Sequence, residues 1–588
     1  MSEKRHYDVA ILGGGLAGLS LARQLHLADP SKTVLLLDKR GSLPTPRQKV
    51  GESLVQVGGY YFGKVLDLEE HLWRNHYMKY NLRFYWKSEE RDNSAFEDYS
   101  QSYIRNFSNI PCYQLDRNVL EAHLLELNEA SGVFELGLGA AGIDVELSED
   151  EAPHRLEWQV GDERFEATAG WVVDTTGRRR MLAKQQGLTR PPAFDHGASF
   201  LWVDGLVDID KLTDQDARAR NKQPSRRETG HLPIWLATNH FMGEGFWFWV
   251  IPLQGLTSLG LVYDNKCVDR KQVDTPEKLL EWVCKEFPLF ARDLPKRKVL
   301  DRGFYKSHAH GCGQTIHHQR WAMSGEAGRF TDPLYSPGSD FIAVHNTLII
   351  DAILTGDARD LQTKCALYEV VMQSLYESLL PTFGTSYDAL GDAEAFSLKY
   401  TWELSVYFAF FVFPFINDLC TDRRFVLSYL KRFAQLGQIN RQVQGMLSGY
   451  YQWKKAQKIG QAQPVYHDFT DLCPLKRAAD TFLEVGPEIE EARRVLDDQL
   501  DNLRELARFV AAHVAGRFLG EDGAVRNRAF VEAIDLNALP TTPEDWRRLY
   551  AAHADCDETY AWNLHPETMD KFKFADEGVE GREAMSAG

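Results

Sequence analysis

The chain has 588 residues, too many for a single compact core, with 44% hydrophobic and 26% charged residues, the balance of an ordinary globular protein. Its net charge of −17 argues against nucleic acid or an anionic membrane surface as a partner. The eight cysteines are scattered, with no C-x-x-C pair, as expected of reduced thiols in a cytoplasmic protein.

The N-terminus leads straight into an apolar run too brief for a secretory signal. DVAIL (8–12) reads as a buried strand, and LSLARQLHLA as a helix. Between them lies Gly13-Gly14-Gly15-Leu16-Ala17-Gly18, the G-x-G-x-x-G pattern of a dinucleotide loop. Gly13 permits the turn, Gly15 lets a pyrophosphate approach, and Gly18 lets helix pack on strand. The helix start then offers free N–H groups to phosphate. A second strand, TVLLLD, ends at Asp38, placed for a ribose hydroxyl pair, with Lys39 next.

Gly51-Glu52-Ser53 precedes SLVQVGGYYFGKVL, and Ser53 with Gln56 reads as a capping box for a helix there. HYMKYNLRFYW places Lys79 ahead of an alternating strand. YQLDRNVLEAHLL puts Arg117 at the head of a helix. A second glycine pattern, Gly137 to Gly142, runs into an alternating strand, IDVELSED. With no helix to follow, it offers no phosphate seat, so one dinucleotide site is expected, without a separate nicotinamide domain.

WVVDTTG is a strand ending at Asp174. FWFWVIP (246–252) is a strand that puts Trp247 and Trp249 on one face and is expected to stop at Pro252. HAHGCGQTIHHQ holds His308, His310, Cys312, His317 and His318, a spacing that matches no zinc pattern, so no metal is assigned. WAMSGEAGRFTDPLYSPGSDF is a strand, a glycine turn and a loop into the helix IAVHNTLIIDAI. Free N–H groups at Gly338 and Ser339 suit negative charge.

From about Gly356 the pattern turns helical, and EIEEARRVLDDQLDNLRELARFVAAHVAGRFL reads as a solvated helix packed on one side. VYFAFFVFPFI (406–416) is about half the length of a membrane span and contains Pro414. The tail after Met569 reads as loose.

The strand-glycine-helix start, the D-x-x-G strand, the arginine-led helix and the late Gly325-Glu326 segment resemble the FAD-dependent oxidoreductases of the aromatic-hydroxylase type, over roughly the first 355 residues. The family has Gly-Asp where this chain has Gly325-Glu326. The resemblance implies an α/β architecture, with a Rossmann-like FAD-binding domain, a mixed β-sheet on the substrate side at about 195–295, and a helical C-terminal domain at 356–588. It implies FAD contacts from Gly13, Gly15, Leu16, Ala17, Gly18, Asp38, Lys39, Ser53, Arg117, Asp174, Gly325, Glu326, Pro333, Gly338 and Ser339.

Within that superfamily, W-x-W-x-I-P (Trp247 to Pro252) and a lysine at this distance beyond G-E-S resemble the flavin-dependent halogenases. That resemblance implies that FADH2, O2 and chloride or bromide yield hypohalous acid, which travels to Lys79 and substitutes an electron-rich ring. Trp247 and Trp249 would separate flavin from substrate, and Ser336, Gly338 and Ser339 would seat the halide. Tryptophan halogenases carry Glu where this chain has Tyr335, which points to phenol or pyrrole substrates. Pro337 replaces a hydroxyl residue that helps hold chloride, leaving Ser336 Oγ and the Gly338 N–H. A monooxygenase or dehydrogenase without halide use is the alternative on this scaffold. A separate flavin reductase is the implied partner, and the aromatic substrate is free or tethered to a carrier protein.

Overall fold

The computed structural model describes residues 5–105, 108–222, 230–470, 472–521 and 523–562. The polar tail therefore lies outside the described residues.

The first sheet grows from the N-terminal strand Arg5–Leu12. It pairs in parallel with Val34–Asp38 on one side and Glu163–Asp174 on the other. Phe134–Leu138 and Trp321–Met323 extend the parallel array. Val9, Ile11, Leu36 and Val173 have no exposed surface, which explains the unbroken apolar runs of these strands. Helices Leu16–Ala28, Arg117–Glu129 and Pro337–Ile353 belong to the layer packed on this sheet. The second glycine pattern is a turn between Phe134–Leu138 and Ala141–Glu146, with Gly139 and Gly142 at positive φ and no helix after it.

The second sheet has eight strands. Val299–Tyr305, His196–Asp204, Leu256–Asp264, Phe246–Leu253, Thr238–Gly243, Leu82–Lys87, Tyr99–Ser102 and Tyr466–His467 follow one another across it. It is mixed: Thr238–Gly243 runs parallel to Leu82–Lys87. The tryptophan strand is buried on both faces. Trp247, Trp249 and Ile251 belong to the core shared with the first sheet, while Phe246, Phe248 and Val250 pack with Phe287 and Phe290 beneath the other face.

Three local expectations are corrected. The tryptophan strand continues through Pro252 to Leu253. Its neighbour Thr238–Gly243 reaches only Asn239, opposite Val250, so no strand on that side needs the missing Pro252 N–H. Leu82–Lys87 does not alternate, because its first five residues are all buried. Ser53 caps no helix: the helix starts at Gln56 with Val55 as its N-cap, and Ser53 instead bridges to Gln114.

The C-terminal region is carried by four long helices, Ala358–Gly384, Ala393–Tyr407, Arg423–Gln457 and Ile489–Leu519. Asp357, Asp392 and Asp422 cap the first three by accepting first-turn N–H groups. The fourth is less solvated than its charge pattern suggests, since Phe509 to Ala512 and Val514 to Gly516 are all buried. Val406–Ile416 is the end of one helix, a π-helical turn at Phe408–Val412 and a short helix at Phe413–Ile416. Among the described residues no helix is long and apolar enough to cross a membrane.

Candidate functional site

Two cavities flank the segment 333–342, and the larger of them is also walled by the C-terminal helices. The larger, about 410 Å³, is lined by Lys79, Cys112, Tyr335, Asp340, Tyr407 and many apolar side chains of the helical region. The smaller, about 120 Å³, is lined by Leu16, Ser53, Arg117, Trp247, Trp249, Glu326 and Ser339. Phe341 lines both. The segment 333–342 forms part of the partition: Pro333, Ser336, Gly338, Ser339 and Ile342 face the small cavity, whereas Leu334, Tyr335, Pro337 and Asp340 face the large one. This sorting follows from its turn, with Tyr335 and Ser336 at φ +68° and +61°, and from the 100° step of the helix beginning at Pro337.

The small cavity opens beside the dinucleotide loop. A Cβ at Gly18 would lie 2.2 Å from Gly13 O, and one at Gly13 would lie 2.6 Å from Thr175 O, so both glycines are demanded by packing. A Cβ at Gly15 would meet nothing within 4 Å. That open surface at a helix N-terminus fits a pyrophosphate. Gly325 sits against Ala17, 3.3 Å from a built Cβ, and brings Glu326 to the cavity. Arg117 is held by Val50 O and Glu121, and Arg178 faces the same space. These residues fit FAD, and Gly15 with the start of its helix would hold the pyrophosphate.

The remaining expected contacts stand apart from both cavities. Lys39 is exposed. Asp38 Oδ1 accepts from Arg40 N and Nε, and Oδ2 accepts from Gly14 N and Arg40 Nη2. All four acceptor positions of that carboxylate are filled, so a ribose would have to displace the Arg40 guanidinium. Asp174 accepts from Thr176 N, Thr176 Oγ1 and Leu182 N, which makes it the cap of its own turn.

Trp247 and Trp249 stand on one face with ring centroids 5.8 Å apart. Both line the small cavity and neither lines the large one. Trp249 Nε1 donates to Ser258 Oγ, which donates to Glu52, and Trp202 Nε1 donates to the other Glu52 oxygen. Burial pushes the Glu52 carboxyl up to about 7, against the pull of those two donors.

Lys79 is 6% exposed. Its backbone N–H is anchored on Cys112 O at 2.8 Å, and its Nζ donates to Ser53 Oγ at 3.0 Å. Ser53 Oγ in turn lies 2.9 Å from Thr238 Oγ1. Lys79 and Ser53 therefore join the two cavities through a single hydrogen bond. Burial lowers the Lys79 ammonium to about 8, with the charges of Cys112 and Asp340 opposing. This is an amine that holds a proton at neutral pH and can release it nearby.

Pro337 occupies the first position of its helix, where its missing N–H is an orphan anyway. The N–H groups of Gly338 and Ser339 remain in the first turn, which still offers two donors. The Tyr335 hydroxyl faces Glu403, and its ring stacks on Tyr400 at 5.4 Å.

The histidine stretch does not converge. His310 bonds the carbonyls of His308 and Glu326, and His317 stacks on Trp321. Only His308 joins a buried set among the described residues, with His196 and Asp332. His196 Nδ1 lies 2.8 Å from Asp332 Oδ2 and the Tyr387 hydroxyl 3.1 Å from it. Burial would raise this carboxyl, but its bonds and charge contacts with His196 and His308 hold it below the usual range.

Sequence reading missed Glu52 and Asp340. Glu52 was visible only as part of G-E-S, and Asp340 as the residue after the anion loop. Tyr407, on a helix 67 positions further on, is brought to Asp340.

No family model matches the sequence. The chain is 26% identical over 442 residues to the flavin-dependent halogenase chlA of Dictyostelium discoideum, covering 70% of this chain and 71% of that one. It is 25% identical over 357 residues to a 1H-pyrrole-2-carbonyl-[peptidyl-carrier protein] chlorinase of Pseudomonas fluorescens, covering 56% and 72%. Among solved structures it shares its fold with the halogenase PltM in complex with phloroglucinol and FAD, with TM-score 0.58, 17% identity, and 85% and 96% of the two chains covered.

Proposed function

From the premise that the chain belongs to the flavin-dependent halogenases, we propose that it halogenates an electron-rich ring of phenol or pyrrole type at Lys79. The observation that carries this reading is the buried Lys79 ammonium, in a large apolar cavity distinct from the one that fits the flavin ring. FAD, when bound and reduced, supplies with O2 the oxidising power that turns halide into hypohalous acid.

The chain's residues supply the rest. Gly338 and Ser339 N–H groups, with Ser336 Oγ, seat the halide on the small-cavity side. Trp247 and Trp249 shield that side, so a small oxidant rather than the flavin reaches the substrate. Lys79 takes the oxidant by hydrogen bond or as a haloamine, and the neighbouring cavity aligns the ring. Tyr335 gives no carboxylate at the position where tryptophan halogenases have one, so a ring already activated by oxygen or nitrogen is favoured. The pyrrole chlorinase names a relative with such a substrate. The pyrrole relative's carrier-bound substrate also supports a tethered ring as one form of delivery. Reduced FAD comes from a separate reductase in this reading.

The test supplies FADH2 from a reductase, with bromide and a panel of phenols, pyrroles and indoles. Brominated product with its isotope pair is expected, lost in Lys79→Ala and kept in Lys64→Ala, whose residue is exposed and paired with Glu69. Hydroxylated product without halogen would replace this reading with a monooxygenase, and anaerobic oxidation with a dehydrogenase.

A further inference from the structure

Ring substitution releases a proton, and the large cavity must accept it. Among its described lining residues the carboxylates are Asp340, Glu403 and Asp480. Asp480 is exposed. Glu403 is bound at one oxygen by buried Lys399 at 2.5 Å and by Gln444 at 2.9 Å. Asp340 is 6% exposed and has no cation hydrogen-bonded to it among the described residues.

Its surroundings are those of a prepared acceptor. Oδ1 accepts the Gly58 N–H at 2.8 Å, and Oδ2 accepts the Tyr407 hydroxyl at 2.7 Å. The Tyr407 oxygen accepts the Val57 N–H at 3.1 Å, so its own proton is directed to Asp340. Two acceptor positions on the carboxylate remain open. The charges of Asp340 and Lys79 act on each other across the cavity lining.

We propose that Asp340 is the base that takes the ring proton, held in register by Tyr407; the proposal rests on the delivery of hypohalous acid to Lys79. In this step the ring carbon forms a bond to halogen and the halogen–oxygen bond breaks. The oxygen leaves as water with a proton from the Lys79 ammonium. The ring C–H electron pair returns to the ring as its proton passes to the Asp340 carboxylate. The ring is oxidised by two electrons and the halogen is reduced by two. Proton return from Asp340 to Lys79 restores both groups. Asp340 thus supplies a carboxylate that Tyr335 does not, from the first turn of the next helix.

Burial pushes Asp340 up to about 7, while Tyr407, the Gly58 N–H and Lys79 pull it down. The titratable groups facing it are Lys79 and the Cys112 thiol from the loops and Tyr407 from the helix Ala393–Tyr407. A base in this range works near neutrality.

The test uses full-length holoenzyme, reductase and bromide, with the best substrate of the panel in protiated and ring-deuterated form. Asp340→Asn is expected to lower kcat by about 100-fold or more. It should also raise the ring deuterium isotope effect and remove the acid limb near neutral pH. FAD affinity and trapping of released hypohalous acid by monochlorodimedone should stay as in wild type. Tyr407→Phe removes a donor to the carboxylate and should move the acid limb upward, which keeps the test decisive if Asp340→Asn misfolds. A wild-type rate and limb in Asp340→Asn, or an unmoved limb in Tyr407→Phe, overturns the proposal. If Lys79→Ala is inactive in that case, the reading of Lys79 stands alone; if Lys79→Ala is active, both fall.

Discussion

Lys79 Nζ donates a 3.0 Å hydrogen bond to Ser53 Oγ, across the partition between the small cavity beside the dinucleotide loop and the large apolar one. The bond holds a long, flexible side chain in one rotamer. Ser53→Ala removes the acceptor and leaves a buried ammonium less satisfied, at a cost of about 1–3 kcal/mol. Halogenation kcat/KM should fall roughly 10- to 100-fold, the rate equivalent of that energy. FAD affinity, followed by flavin fluorescence, should change far less. A parallel loss of FAD affinity would assign Ser53 to the cofactor instead.

Glu52 joins Trp202 to Trp249 through Ser258, and its carboxyl is pushed up by burial to about 7 from 4.5. The native state therefore binds this proton more tightly than the unfolded chain does. The resulting stability is full below about pH 4.5, falls as pH rises, and is flat above about 7, a loss on the order of 3 kcal/mol. Glu52→Gln cannot ionise and should lack that loss. Urea midpoints of the apoprotein at pH 5 and pH 8 measure it. The drop between the two should be smaller in Glu52→Gln than in wild type, and equal drops would exclude a buried neutral acid.

Much of this was legible in the chain because it depends on local grammar. The dinucleotide loop is fixed by glycines whose replacement would collide with Gly13 O or Thr175 O, contacts made within one strand-turn-helix unit and its neighbour. The pairing of Trp247 with Trp249 follows from the period of a strand. Ser53 reads as a cap from local spacing because its partners, Lys79 and Thr238, come from other strands and loops. Asp38 reads as free for a ribose from its place at a strand end, whereas Arg40, two residues on, folds back onto its carboxylate. Asp340 and Tyr407 meet only when the helical region closes over the partition, a contact that no periodicity encodes.

The halide seat can be tested at Gly338. A Cβ there would lie 3.6 Å from Phe330 Cε2, an ordinary contact, so Gly338→Ala should fold with stability within about 0.5 kcal/mol of wild type. The added methyl stands at the small cavity, beside the N–H groups that favour an anion. Halide KM should rise while FAD affinity holds, and the larger bromide should suffer more than chloride. Unchanged KM for both ions would move the halide away from this turn.

Gly15 and Gly18 separate cofactor contact from packing within one loop. Gly15 has φ −90° and open space around a built Cβ, so alanine fits the apoprotein without strain. Gly18 would put its Cβ 2.2 Å from Gly13 O. Overpacking of that kind costs about 1–3 kcal/mol. Gly18→Ala should therefore lower the apoprotein melting temperature, whereas Gly15→Ala should leave it in place or raise it slightly. FAD reverses the order of interest. If its pyrophosphate packs on Gly15, the same overpacking appears only in the complex, and the Kd should rise roughly 10- to 100-fold. Melting curves with and without FAD measure both effects: Gly15→Ala should lose most of the stabilisation that FAD gives the wild type. Wild-type FAD stabilisation in Gly15→Ala would mean that the phosphates do not approach this backbone.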